Sequence, residues 1–147
     1  MIRPFLCAAA LALSAPLAQA QPVTHTVEDA FDDVAFAVEN AIVSQGLVID
    51  FVSHVGDMLE RTRADVGSSV TIFTDARVFT FCSAAVSRRV MEADPMHLQH
   101  CPYGSFVAER ADAPGQVIVG YRDYPEGPMQ EVGDLLAKIV ADALGLD

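Results

Sequence analysis

The sequence predicts an α+β fold, a two-layer arrangement in which an antiparallel sheet carries its helices on one face. Three observations carry that reading. Near each end of the chain, Val27–Ile42 and Val132–Leu144 repeat apolar residues at three- and four-residue steps, the period of an amphipathic helix. Between them lie short runs rich in β-branched and aromatic residues. Around Asp112-Ala113-Pro114-Gly115 strand follows strand through a tight turn, which excludes a regular βαβ array.

The elements follow in order. Val23–His25 reads as a short extended segment. Thr26 is expected to cap the first helix, with Asp29 three residues on completing a capping-box pattern. Val27, Phe31, Val34, Val38, Ala41 and Ile42 make its apolar stripe, and Asp32, Asp33, Glu39 and Asn40 lie between them. Gly46 closes it as a left-handed cap. Leu47–Val55 reads as a strand by alternation and ends at Gly56-Asp57. Met58–Val66 is a short polar helix, and Gly67-Ser68-Ser69 is a loop. Val70–Phe81 is extended, with a turn near Asp75, and its firmest stretch is Arg77–Cys82. Ser83 caps a second helix that runs through Ala93, where Pro95 stops it. Met96–Pro102 is a loop. Tyr103–Glu109 and Gln116–Arg122 form a hairpin, and Pro125, Gly127 and Pro128 punctuate the approach to the last helix.

The length, 147 residues, suits one domain. Its first twenty residues, MIRPFLCAAALALSAPLAQA, read as a secretory signal. Arg3 supplies the positive end, Phe5–Leu13 is an unbroken apolar run, and Ala18-Gln19-Ala20 is a small-x-small cleavage pattern. The run is too short to span a bilayer. Cys7 lies inside it instead of following it, which excludes a lipoprotein signal. Cleavage after Ala20 is expected to leave residues 21–147 as a single domain, periplasmic or secreted, with no membrane span. The mature chain keeps eight bases against twenty acids, moving the net charge from −11 to −12. That balance excludes nucleic acid as a partner, because phosphate recognition needs a basic surface.

The segments Phe81-Cys82-Ser83-Ala84, Glu92-Ala93-Asp94-Pro95, Cys101-Pro102-Tyr103 and Tyr121-Arg122 together resemble the bacterial and archaeal family catalogued as domain of unknown function 302. The resemblance runs from about Val23 to Leu144. It implies a strand, a helix, four strands and a helix, similar to one repeat of the TATA-box-binding-protein fold, and a homodimer. It implies no activity and no DNA binding. Many members carry Asn-Pro where this chain has Ser83-Ala84 at the start of the second helix.

Two cysteines remain in the mature chain, Cys82 and Cys101, nineteen positions apart. In an oxidising compartment they are expected to form a structural disulfide, with two reduced buried thiols as the alternative. There is no Cys-x-x-Cys, so a catalytic dithiol of the thioredoxin kind ranks behind both. Met96, His97, His100 and Cys101, with Met91 a turn earlier, hold the imidazole, thioether and thiol chemistry of a copper site or a haem axial position. The plain alternative is a solvated loop, and a bridged Cys101 is lost as a ligand. No cofactor is otherwise predicted. His54 and Asp50 share one side of the alternating strand, which allows a His–Asp pair, although no Gly-x-Ser-x-Gly elbow accompanies them. Tyr103, Tyr121, Arg122 and Tyr124 offer either a small-ligand or dimer surface, or simple cross-strand packing. Arg88-Arg89 is the one basic doublet. With no catalytic set assembled, the sequence reads first as a non-enzymatic binding or accessory module with an unidentified small ligand or protein partner. A copper or haem protein comes second, and a cysteine redox protein third.

Overall fold

The computed structural model describes residues 21–146; the expected signal segment, with Cys7 and the expected cleavage after Ala20, lies outside them. The elements are β1 (Val23–Val27), α1 (Phe31–Ser44), β2 (Val48–His54), α2 (Val55–Thr62), β3 (Phe73–Cys82), α3 (Ala84–Ala93), a 3-10 helix (Pro95–His100), β4 (Tyr103–Arg110), β5 (Val117–Tyr121) and α4 (Gln130–Leu144). The five strands form one sheet in the order β1-β5-β4-β3-β2, antiparallel throughout. The succession of one strand, a helix, four strands and a final helix is the expected one, with α2 and α3 inserted between strands.

Strand alternation sorts the residues to two faces. Phe79 and Phe81 of β3, Tyr103 and Val107 of β4, and Val117 and Val119 of β5 share one side and are buried. Against them pack Val34, Val38 and Ile42 of α1, Val90 of α3, and Leu136 and Ile139 of α4. The three- and four-residue steps read from the sequence therefore fall on the buried stripes. The alternate residues Val78, Thr80, Gly104 and Phe106 point to the opposite side, which α1, α3 and α4 leave open.

Four local expectations are corrected. Thr26 does not cap α1. It belongs to β1, where it pairs with Ile118, so the helix starts later, with Ala30 at its N-cap and no side-chain cap bond. Sheet pairing has outcompeted the capping pattern. Asp75 marks no turn: β3 is continuous, and the irregularity between Phe73 and Asp75 is a register shift against β4. A second shift, between Ile49 and Phe51 in β2, changes which residues face the core. Ile49 and Val52 both pack against it, whereas Val48 and Phe51 are 75% and 66% exposed. Such an extra residue breaks a strict period of two. Met96–His100, expected as loop, is a 3-10 helix that Asp94 caps by accepting from the Met96 amide at 2.8 Å. The cap expected at Ser83 is present, its hydroxyl accepting from the Val86 amide at 3.3 Å.

One close approach depends on glycine. Gly120 pairs with Phe106 on the open face, and a Cβ there would lie 2.6 Å from both the Phe106 ring and the Val23 carbonyl. The missing side chain lets the ring lie across β5, an aromatic covering a strand glycine.

Candidate functional site

The open face carries a groove of about 440 Å3 at the end of the sheet where β3 and β5 finish and β4 begins. Two-residue alternation builds it. Val78 and Thr80 line it from β3, Gly104 and Phe106 from β4, and Arg122 from the residue just after β5. Pro22, Pro102, Ser105, Asp123 and Tyr124 complete the walls, and the buried Ser105 hydroxyl has no hydrogen-bond partner among the described residues. Gly104 leaves the space unfilled, since a Cβ there would meet the Phe79 carbonyl at 3.4 Å and the Val78 and Thr80 side chains at 3.8 and 3.9 Å. Those are ordinary contacts, so a larger residue would extend into the groove without disturbing the strand.

Arg122 is exposed and forms no ion pair among the described residues. Arg63, Arg77, Arg88, Arg89, Arg110 and Lys138 are all committed to carboxylates. The Arg88-Arg89 doublet is thereby accounted for: Arg88 pairs with Glu92 and Arg89 with Glu131.

The two cysteines meet beside this groove. Phe81 pairs with Tyr103, so the strand ends bring Cys82 next to Cys101 and Pro102, whose connecting peptide bond is cis. Both cysteines are free thiols here, each partly buried. The Cys82 thiol is pushed up to about 12, first by burial, then by its hydrogen bond to and the charge of Cys101, then by the Asp50 carboxylate; the Tyr103 amide opposes the rise.

Behind the thiols is an aromatic cluster. Tyr103 is fully buried, with its hydroxyl 2.9 Å from the Ser87 hydroxyl. Tyr124 meets Tyr103 edge-on at 6.3 Å and His100 at 5.7 Å between ring centroids. Burial pushes the Tyr124 phenol up to about 12 and raises those of Tyr103 and Tyr121. His100 is shifted down, by burial first and then by Arg122 and His97.

The residues singled out in the sequence are thus distributed unevenly. Tyr103 and Tyr121 belong to the core and present no surface; only Arg122 and Tyr124 of that set border the groove. Cys82 and Cys101 are together. Of Met96, His97, His100 and Cys101, the rings of His97 and His100 lie 6.4 Å apart between centroids. Met96 is 67% exposed, Nδ1 of His97 sits 2.7 Å from the Val90 carbonyl, His100 packs on Tyr124, and Cys101 faces Cys82. Among the described residues no three His, Cys, Asp or Glu side chains gather as a metal-holding group. His54 lies 3.8 Å from exposed Asp57, and the Asp50 carboxylate acts on Cys82. The groove floor escaped the sequence reading. Its signal was two glycines, Gly104 and Gly120, within strands, which commonly mark a close backbone or ligand approach.

These environments predict an alkaline limit to stability. Tyr124, Tyr103 and reduced Cys82 hold their protons to higher pH when folded than when unfolded. Their contribution is full below the ordinary thiol and phenol values of 9.0 and 10.0 and is lost as pH rises toward about 12. Urea midpoints of the reduced protein are expected to fall across that window; a flat profile there would contradict the burial of these groups. His100 acts in the opposite direction, its contribution present above the ordinary imidazole value of 6.5 and lost as the pH drops.

The profile of the family described as "Domain of unknown function DUF302" matches residues 23–143. The chain belongs to the DUF302 family. The fold agrees with a crystal structure of an uncharacterized conserved DUF302 protein from Bacillus stearothermophilus. The TM-score is 0.59 at 14% sequence identity, covering 85% of this chain and 94% of that one. At that identity the likeness is one of DUF302 fold. No curated protein matches the chain. No helix among the described residues of this DUF302 protein is long and apolar enough to cross a membrane.

Proposed function

We propose that this DUF302 protein is an exported, non-enzymatic binding or accessory module of the periplasm, whose open-face groove takes a small ligand beside a Cys82–Cys101 disulfide. The observation that carries the reading is the groove itself. Its volume of about 440 Å3 falls in the range of small-molecule sites, and its exposed lining is mostly apolar, with Thr80, Ser105, Arg122, Asp123 and Tyr124 as its polar groups. Export is supported by the signal pattern in residues 1–20. The disulfide is supported by the adjacency of the two thiols across β3 and β4. A Cys82 thiol held up to about 12 is protonated at neutral pH and makes a poor nucleophile. A reduced pair without a stabilised thiolate also lacks the feature that makes an oxidising dithiol, which favours a lasting bridge over a redox shuttle.

The test is binding of a neutral apolar dye, N-phenyl-1-naphthylamine, followed by its fluorescence. The unaltered protein is expected to bind one dye, and Gly104→Val, which fills the groove floor, is expected to lose that binding while keeping its circular dichroism. Equal binding by both proteins, or none by the unaltered one, overturns the groove as the binding site.

A further inference from the structure

We propose that the groove selects an apolar carboxylate, with the Arg122 guanidinium as its anion anchor. This rests on the groove being the binding site and names the chemistry of its occupant. Arg122 follows β5 with the same alternation as Ile118 and Gly120, so it stands on the open face at the rim of a floor made by Gly104, Phe106 and Val78. A guanidinium offers a fork of donors that matches a carboxylate.

Its freedom is unusual in this molecule. Acids outnumber bases by more than two to one, and six of the eight bases in residues 21–147 are already held by carboxylates. Arg122 is not, even though Asp123 follows it in sequence and both line the groove. Arg61, the other base outside these pairs, lies on α2 and lines no part of this groove. Residues 21–147 carry twenty acids and eight bases, a field that opposes every anion and opposes a doubly charged phosphate more than a singly charged carboxylate, so among anions a single negative head is the one a lone guanidinium can hold. Val78, Gly104, Phe106, Pro22 and Pro102 give the groove an apolar stretch that suits an apolar body behind that head. A monocarboxylate with a hydrocarbon tail meets both conditions: the head on Arg122, the tail across Gly104 against Phe106 and Val78.

Calorimetric titration with decanoate and decanol, both below their aggregation concentrations, tests this on the unaltered protein, Arg122→Gln and Gly104→Val. The unaltered protein is expected to bind decanoate roughly tenfold or more tighter than decanol, the scale of a charge-assisted bond. Arg122→Gln is expected to erase that preference, bringing decanoate to the affinity of decanol, and Gly104→Val to remove binding of both. Decanol binding as tightly as decanoate overturns the carboxylate inference and leaves the groove reading standing. Decanoate binding that survives in both variants overturns the two together. No binding of either ligand to the unaltered protein overturns the inference, and the neutral dye then decides whether the groove reading falls with it.

Discussion

Phe81→Ala is expected to cost about 3–5 kcal/mol of folding stability, the range for truncating a buried phenylalanine. Phe81 is fully buried on the core face of β3. It pairs with Ile49 on one side and Tyr103 on the other, so both flanking strands hold its neighbours in register. A sheet braced on both sides cannot close over the space left by a lost ring, and the cost then includes the cavity as well as the transfer term. Set against a typical net stability of about 5–15 kcal/mol, the variant should be close to unfolding. Urea denaturation followed by circular dichroism measures it. A loss under about 1 kcal/mol, less than most core truncations, would contradict the packing around β3.

The second large effect concerns the cysteines. With Cys82 and Cys101 bridged as proposed, reduction is expected to lower stability by about 3 kcal/mol, the chain-entropy estimate for a loop of this size. The loop closed is α3 with the 3-10 helix, a segment that contributes Val86 and Val90 to the core. Its release frees the unfolded chain while the folded state keeps the same contacts, so the change should appear in the denaturation midpoint with little change in the native circular dichroism. Protein isolated from the periplasm, compared before and after reduction with alkylation of free thiols, provides the measurement. Alkylation of both cysteines without prior reduction, or an unchanged midpoint, would rule the bridge out.

Much of the architecture was legible because the hydrophobic period does the deciding. The stripes in α1 and α4, the strands of the hairpin and the Ser83 cap all follow from local pattern, and each faces or bounds the core as the pattern demands. The errors have more than one physical origin, and sheet pairing that outweighed a local preference is one of them. Thr26 caps nothing because Ile118 offers it a strand to pair with. Phe51 turns outward because an irregular register in β2 invalidates counting by two. The candidate site was harder to read. Arg122 and Tyr124 were visible as residue types, and the two cysteines as a pair. That Tyr103 and Tyr121 face inward while Arg122 faces the groove depends on strand orientation. The groove itself is shaped by absent side chains at Gly104 and Gly120, and composition does not register what a residue leaves empty.

The sheet order also bears on how the chain reaches its folded state. β1, the first strand, has β5 as its sole strand partner, so Val23 must wait for Tyr121 before either is paired. A chain emerging from its N-terminus has nearly all of its length released before this edge can form. Long-range pairing of this kind slows folding, because loop closure must precede the contacts that reward it. The domain is therefore expected to remain unfolded through most of its synthesis, with its first strand joining the sheet late. Under the proposed export, delayed closure of this kind would keep the chain in a form that can still be threaded across a membrane.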